Sequence, residues 1–217
     1  GAFEFQDEAA QIASLLAGAR PGQRVLDLAA GAGGKTLAMA AAMHNQGHIL
    51  AFDADPRRLA PLRERAARAG VTCITLAEGR DGPAWGDGRF DLVFLDAPCS
   101  GTGTWRRQPE LRWRLTPARL AELTALQDRL LDEAARHTGP GGRLVYATCS
   151  LLPQENADRV AAFLARNRDF IRRPAEALWP GAAIPGLSGD FRASPARTGT
   201  DGFFAAILER AAGENPV

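Results

Sequence analysis

Two cysteines stand where a thiol could do chemistry. Cys99 lies three residues after Asp96 in Asp96-Ala-Pro-Cys-Ser-Gly-Thr-Gly103, and Cys149 follows Ala147-Thr148. Each comes just beyond an apolar run that reads as a strand, so both thiols are expected at one edge of a sheet. A thiolate there could act as a covalent nucleophile, with the carboxyl of Asp96 beside it. The bland reading of any single cysteine is an inert buried thiol. Cys73, placed at the start of a strand and so at the opposite edge, keeps that reading. Three cysteines make an odd, widely spaced set without a CxxC pair, which argues against a zinc site and against a disulfide framework. No metal is expected.

A second group surrounds a glycine turn. Val25-Leu-Asp-Leu28 reads as a strand, and Ala30-Gly-Ala-Gly-Gly34 breaks it before an apolar helical stretch. Backbone N–H groups at such a turn can approach a polar or anionic ligand closely. Asp53 ends the next strand, about 20 residues on, where a carboxylate holds a ribose in dinucleotide-type sites. That points to an adenosyl ligand; the bland reading of Asp53 is an ordinary loop acid. Lys35 closes the turn. Every other basic residue among the 26 is Arg, so the position either reflects codon bias or needs a compact ammonium. Gly34-Lys35-Thr36 also half-matches a phosphate-binding P-loop, and Phe94-Leu95-Asp96 mimics a magnesium-binding strand end. The first P-loop glycine is replaced by Ala29, however. Asp27, just ahead of the turn, is badly placed for a triphosphate but suits the cationic amino acid end of S-adenosylmethionine.

Alternating strands and helices must position these groups. Strands are expected over Gly47–Phe52, Val71–Leu76, Phe90–Leu95, Arg143–Ala147 and Phe203–Leu208. A helix starts near Pro56. Thr116 and Pro117 cap a long helix with Leu120, Leu123, Leu126, Leu130 and Ala134 at helical spacing. Pro153 opens another. Gly139-Pro-Gly-Gly142 reads as a turn, and residues 174–200 as a long Pro- and Gly-rich loop, of a length that usually has a task. This order implies a doubly wound, mostly parallel α/β sheet whose ligands sit at the carboxyl ends of the strands. Hydrophobic residues make up 46% and charged residues 24%, which excludes a disordered or fibrous chain. The net charge of +1 is silent about nucleic acid. No apolar run is long enough to cross a bilayer, and the chain reads as soluble and cytoplasmic.

Val25-Leu-Asp-Leu-Ala-Ala-Gly-Ala-Gly-Gly-Lys-Thr36, Asp96-Ala-Pro-Cys-Ser-Gly-Thr-Gly103 and Thr148-Cys-Ser150 followed by Glu155-Asn156 together resemble the Sun/RsmB-type family of RNA 5-methylcytosine methyltransferases. Gln6-Asp-Glu8 and Asp201-Gly-Phe-Phe204 match further signatures, so the similarity covers nearly the whole chain. The resemblance implies a Rossmann-like class I methyltransferase fold with seven strands, the last antiparallel, in one catalytic domain over 1–217. It implies S-adenosylmethionine as cofactor. Ala29, Ala30, Gly31, Ala32, Gly33, Gly34 and Lys35 would line its methionine end, with Asp53 at the ribose and Glu78 at the adenine. It also implies Cys149 as nucleophile on cytosine carbon 6, Asp96 at the N3 edge and in the cofactor pocket, and Cys99 in release. Two departures stand out: Glu78 where the family has Asp, and Ala29-Ala-Gly-Ala32 where Cys-Ala-Ala-Pro is typical. The family's extra RNA-binding region, which precedes the catalytic core, is expected to be absent.

Trp105-Arg-Arg-Gln-Pro-Glu-Leu-Arg-Trp-Arg114 supplies the expected RNA contact. Trp105, Arg106, Arg107, Arg112, Trp113 and Arg114 could pair with phosphates and stack on bases; the bland reading is a solvated face. Arg172, Arg173 and Arg197 extend that patch more weakly, and the 174–200 loop could close over a base. The substrate implied is RNA, most naturally ribosomal. A P-loop-like nucleotide hydrolase and a non-catalytic RNA-binding module remain as alternatives.

Overall fold

A computed structural model describes residues 3–77, 79 and 85–213. The elements run α1 (Glu8–Leu16), β1 (Arg24–Asp27), α2 (Gly34–Ala42), β2 (His48–Ala51), α3 (Ala60–Arg68), β3 (Ile74–Leu76), β4 (Phe90–Asp96), α4 (Pro117–His137) and β5 (Thr138–Thr148). Then follow α5 (Ala157–Arg166), β6 (Phe170–Arg173), α6 (Ala175–Leu178), β7 (Leu187–Ser188), β8 (Asp190–Ala193), α7 (Pro195–Thr198) and β9 (Phe203–Arg210).

The sheet order is β3-β2-β1-β4-β5-β9-β8-β7. The first five strands are parallel, and β9 lies antiparallel to β5. On the far side of β9, β8 pairs with Phe203–Ala205 and β6 with Ile207–Arg210, so two short strands share one edge. Successive residues of a strand point to opposite faces, and both faces are covered. Val25 packs with Ala13 and Leu16 of α1, Met39 of α2 and Met43 just after it. Leu26, its neighbour, packs on the other side with Leu131, Ala134, Val160 and Phe163 of α4 and α5. This two-sided burial explains why the parallel strands read as continuous apolar runs rather than alternating ones.

The doubly wound α/β architecture is the one expected, with differences in detail. The sheet has nine strands where seven are expected. Six of them fall on segments that read as strands; the other three, 170–173, 187–188 and 190–193, are each two to four residues long and too short for an alternation to show in the sequence. Residues 174–200 are accordingly not one long loop: they hold α6, β7, β8 and α7, and β8 is hydrogen-bonded into the sheet. The stretch 139–142, expected as a turn, is the first part of an eleven-residue β5, with a register shift against β4 between Phe90 and Leu92. A helix at Glu8–Leu16, capped by Asp7 accepting from Ala9 N, precedes the first expected strand. No helix among the described residues is long and apolar enough to cross a membrane.

Candidate active site

β4 and β5 are neighbours, with Asp96 opposite Ala147. The chain leaves both strands at the same edge. Ala97 N still donates to Ala147 O at 2.8 Å, and Gly103 N donates to Cys149 O at 2.9 Å. The loop after β4 therefore folds back against the loop after β5. This sets Cys99 Sγ 3.4 Å from Cys149 Sγ, both half-buried and both free thiols. The pair is polarised. The contact with Cys149 pushes the Cys99 thiol well above the ordinary thiol range, and burial adds to it. The same contact holds Cys149 below that range, and the Lys35 ammonium reinforces this against burial and Asp96. One thiol is thus poised to donate and the other to be the thiolate.

The two loops are tied by a buried frame. Glu155 is fully buried, in a 3-10 turn over Pro153–Glu155. Its carboxyl accepts from Ser100 N at 2.8 Å and from both Ser100 Oγ and Ser150 Oγ at 2.5 Å. Gln127 Nε2 of α4 donates to the same carboxyl at 3.1 Å and to Pro98 O at 2.9 Å. Tyr146 OH donates to the backbone carbonyl of Glu155. Asn156 donates to Ser150 O while accepting from Thr148 Oγ1. A third strap comes from the start of β9. Gly202 N donates to Gly103 O at 2.8 Å, and a Cβ on Gly103 would lie 2.2 Å from Gly202 O, so the two backbones touch.

Beside the thiols, Lys35 Nζ donates to Asp96 Oδ2 at 2.6 Å and lies 5.3 Å from the centre of the Phe203 ring. Burial alone would depress the Lys35 amine, but Asp96 and Asp27 lift it above its ordinary value. The glycine turn is held open by backbone geometry. Gly33 has φ 82° at the N-terminus of α2, and a Cβ there would lie 2.2 Å from Leu62 Cδ1. Only glycine serves both needs. The result is a cavity of about 180 Å³ lined by residues 29–35 with Asp27, Arg58 and Asp96.

Asp27 is the unusual member of that lining. It is 1% exposed. Oδ2 accepts from Thr36 Oγ1 at 2.7 Å, while Oδ1 meets no hydrogen-bond donor among the described residues. Burial pushes its carboxyl up to about 7, against the Thr36 hydrogen bond. A buried acid with an unpartnered oxygen, lining a cavity, has the chemistry to accept a cationic group. Asp53 stands behind the turn: it accepts from Gly31 N and Asp55 N, both at 3.0 Å, with Arg58 3.4 Å away. Glu78 lies outside the described residues.

The arginine- and tryptophan-rich segment divides in two. Arg106 and Arg107 are turned onto the buried Asp201, at 2.9 and 2.5 Å, and Arg106 also approaches Asp7 at 3.6 Å. Burial would raise Asp201, but the two guanidinium groups bring it below its usual value. Arg112, Trp113 and Arg114 stand exposed in a 3-10 turn over Pro109–Arg114. Trp113 is 80% exposed, with the Arg112 guanidinium 5.3 Å from its ring centre. Trp105 is half-buried. Arg106 and Arg107 thus carry an acid from the far end of the chain as partner while remaining exposed.

Sequence reasoning brought together Asp96, Cys99, Cys149 and Lys35, and the structure unites all four. It missed the frame. Gln127 interrupts the buried stripe Leu123, Leu131 and Ala134 of α4, and a polar residue on an apolar stripe was the available signal. Glu155 was noticed only as part of a signature. Among the described residues no cluster of His, Cys, Asp and Glu could hold a metal.

Comparison with known proteins gives one consistent picture. A family model described as 16S rRNA methyltransferase RsmB/F matches residues 14–209. Ribosomal RNA small subunit methyltransferase B of Erwinia tasmaniensis is 38% identical over 211 residues, covering 96% of this chain and 47% of that protein. Its counterpart in Sodalis glossinidius is 39% identical over 213 residues, covering 96% and 46%. The chain thus spans about half the length of the curated relatives it matches. Among solved structures, PH0851 superposes with a TM-score of 0.86 at 40% identity, over 95% of this chain and 47% of that one. NSun6 from Pyrococcus horikoshii, solved with SFG, gives 0.80 at 28% identity, over 94% and 52%.

Proposed function

The chain belongs to the RsmB/F family of 16S rRNA methyltransferases, and from that premise we propose that it methylates carbon 5 of a cytosine in ribosomal RNA, in the cytoplasm, with S-adenosylmethionine as donor. The single observation that carries the reading is the pair of free thiols 3.4 Å apart, close to the Lys35–Asp96 ion pair whose two residues also line the glycine-turn cavity. Those features fit the donor. Asp27 Oδ1 would take the cationic amino group, the backbone of residues 29–35 would surround the methionine end, and Asp53 would hold the ribose once Arg58 yields. The relative solved with SFG, an S-adenosylmethionine analogue, supports the same assignment. When bound, the donor supplies an electrophilic methyl group on a sulfonium.

The remaining chemistry falls to the chain. Carbon 5 of cytosine is a poor nucleophile. Cys149, the thiol held low, adds to carbon 6 and makes carbon 5 enamine-like. Asp96 faces the N3 edge and stabilises charge there, with Lys35 fixing its orientation. After methylation carbon 5 carries a proton that must leave before the Cys149–carbon 6 bond can break. Cys99 assists that removal. The exposed Arg112, Trp113 and Arg114 would hold the RNA strand, with the half-buried Trp105 beside them.

The P-loop alternative loses its footing, since the lysine that would meet a phosphate is spent on Asp96. The test is methyl transfer to ribosomal RNA by the purified protein, with sites mapped by bisulfite sequencing. Cys149→Ser should abolish transfer. Cys99→Ser should accumulate a covalent protein–RNA adduct on a denaturing gel. Near-normal transfer by Cys149→Ser would reject the mechanism; absence of transfer by the intact protein would favour a non-catalytic RNA-binding role.

A further inference from the structure

The two cysteine loops meet at their serines, where Ser100 Oγ and Thr102 Oγ1 lie 3.3 and 3.1 Å from Ser150 Oγ, and the two serine hydroxyls share one further acceptor, the Glu155 carboxyl. We propose that Glu155 is the positioning residue of the site: its carboxyl clamps the Cys99 loop to the Cys149 loop and thereby sets the distance between the two thiols. The inference builds on the proposed function only in the use it gives the thiols; the geometry stands by itself.

The argument begins with the covalent sequence. Ser100 follows Cys99 directly, and Ser150 follows Cys149 directly. A residue that fixes both serines fixes both cysteines to within one peptide unit. Glu155 accepts from the hydroxyls of both serines and from Ser100 N. Gln127 reaches the same carboxyl from α4 and also holds Pro98 O, on the other side of Cys99. The clamp is therefore anchored outside both loops. It is fully buried, where hydrogen bonds are least diluted by water.

Its position also bears on Cys99. The Glu155 carboxyl is among the groups that push the Cys99 thiol up, after the contact with Cys149 and burial. No cation meets Glu155 among the described residues; its partners are hydroxyl, amide and backbone donors. Gln at this position would keep the shape and one acceptor oxygen, and the two serine hydroxyls could turn to suit its amide. Ala would remove the brace altogether.

The experiment reads thiol separation without RNA or donor. The azo oxidant diamide takes two electrons and two protons from a pair of thiols, leaving a disulfide and a hydrazine. The sulfurs must close from 3.4 Å to about 2.05 Å, so the rate of pairing reports their mutual placement. Pairing of Cys99 with Cys149 is followed by mass spectrometry of the intact protein and its peptides. Glu155→Ala should slow pairing about tenfold or more, as an ångström of misplacement does to a reaction between held groups. Glu155→Gln should recover most of the rate. Where methyl transfer is measurable, kcat should fall in the same order with KM for S-adenosylmethionine unchanged. Pairing at the wild-type rate in a natively folded Glu155→Ala protein overturns the proposal. If that variant does not fold, the double variant Ser100→Ala/Ser150→Ala removes the hydroxyl donors instead, and a wild-type pairing rate there overturns it equally. Slowed pairing in a protein that methylates no RNA leaves the clamp standing and removes the proposed function alone.

Discussion

Replacing Asp27 by Asn should make the unliganded protein more stable and unable to hold its donor. The carboxyl ordinarily titrates at 3.8 and is pushed up to about 7 by burial. A raised carboxyl binds protons more tightly in the folded state, so its penalty begins as pH rises through 3.8, grows to about 7 and is constant above. At pH 8 the penalty amounts to about 4 kcal/mol. Asn carries no charge and keeps the oxygen that Thr36 bonds. Its amide nitrogen, however, takes the place of the unpartnered Oδ1, which returns about 1–3 kcal/mol of that gain. The net expectation at pH 8 is a gain of about 1–3 kcal/mol, or about 3–10 °C in melting temperature for a chain of this size. At pH 5 most of the folded wild-type carboxyl is protonated, and the advantage should shrink by about 2–3 kcal/mol. Urea unfolding of both proteins at pH 5 and pH 8 measures this. Calorimetry with S-adenosylmethionine supplies the second arm, where loss of the buried charge partner should cost about 2–5 kcal/mol of binding. A variant no more stable than wild type at pH 8, or a gain equal at both pH values, would refute the account of Asp27 as a strained receptor.

Three other outcomes follow from the same geometry. Wild-type protein should release protons on binding the donor below pH 7 and none well above it, because the cationic group selects the ionised Asp27; calorimetry in buffers of different ionisation enthalpy reads this. Gly33→Ala must accept a left-handed φ of 82° and displace Leu62, so it should lose about 2–4 kcal/mol of stability, seen as a lower urea midpoint. Trp113→Ala should leave the melting temperature unchanged, since the ring is 80% exposed, yet weaken RNA binding by about 1–3 kcal/mol through lost base stacking in a filter-binding titration.

The chemistry-bearing residues were legible because they are local. Asp96, Cys99 and Cys149 follow strong apolar runs, and a parallel sheet delivers the ends of adjacent strands to one edge. Lys35 and the glycine turn sit between a strand and a helix that both show in sequence. What was hidden depends on pairing across distance. Asp201 pairs with Arg106 and Arg107 from the other end of the chain, and no spacing rule announces that. β7 and β8 owe their existence to the open edge of β9 rather than to their own composition. The Gly139–Gly142 stretch has turn chemistry, yet Phe90 pairs with Thr138 and the register shift that follows carries the chain through. Gln127 sits on the buried stripe of α4, and its partners, an acid and a carbonyl on separate loops, cannot be read from the spacing of that helix.

The contact between Gly103 and Gly202 also bears on the order in which the protein can become competent. A ribosome makes the Cys99 loop long before it makes the strand that leans on it. Until β9 emerges and slots beside β5, the Gly103 carbonyl lacks its Gly202 donor and Lys35 lacks the Phe203 ring beside it. Maturation of the pocket therefore waits for the C-terminal strand, and a nascent chain that already carries both sulfurs still has an unfinished vessel for them.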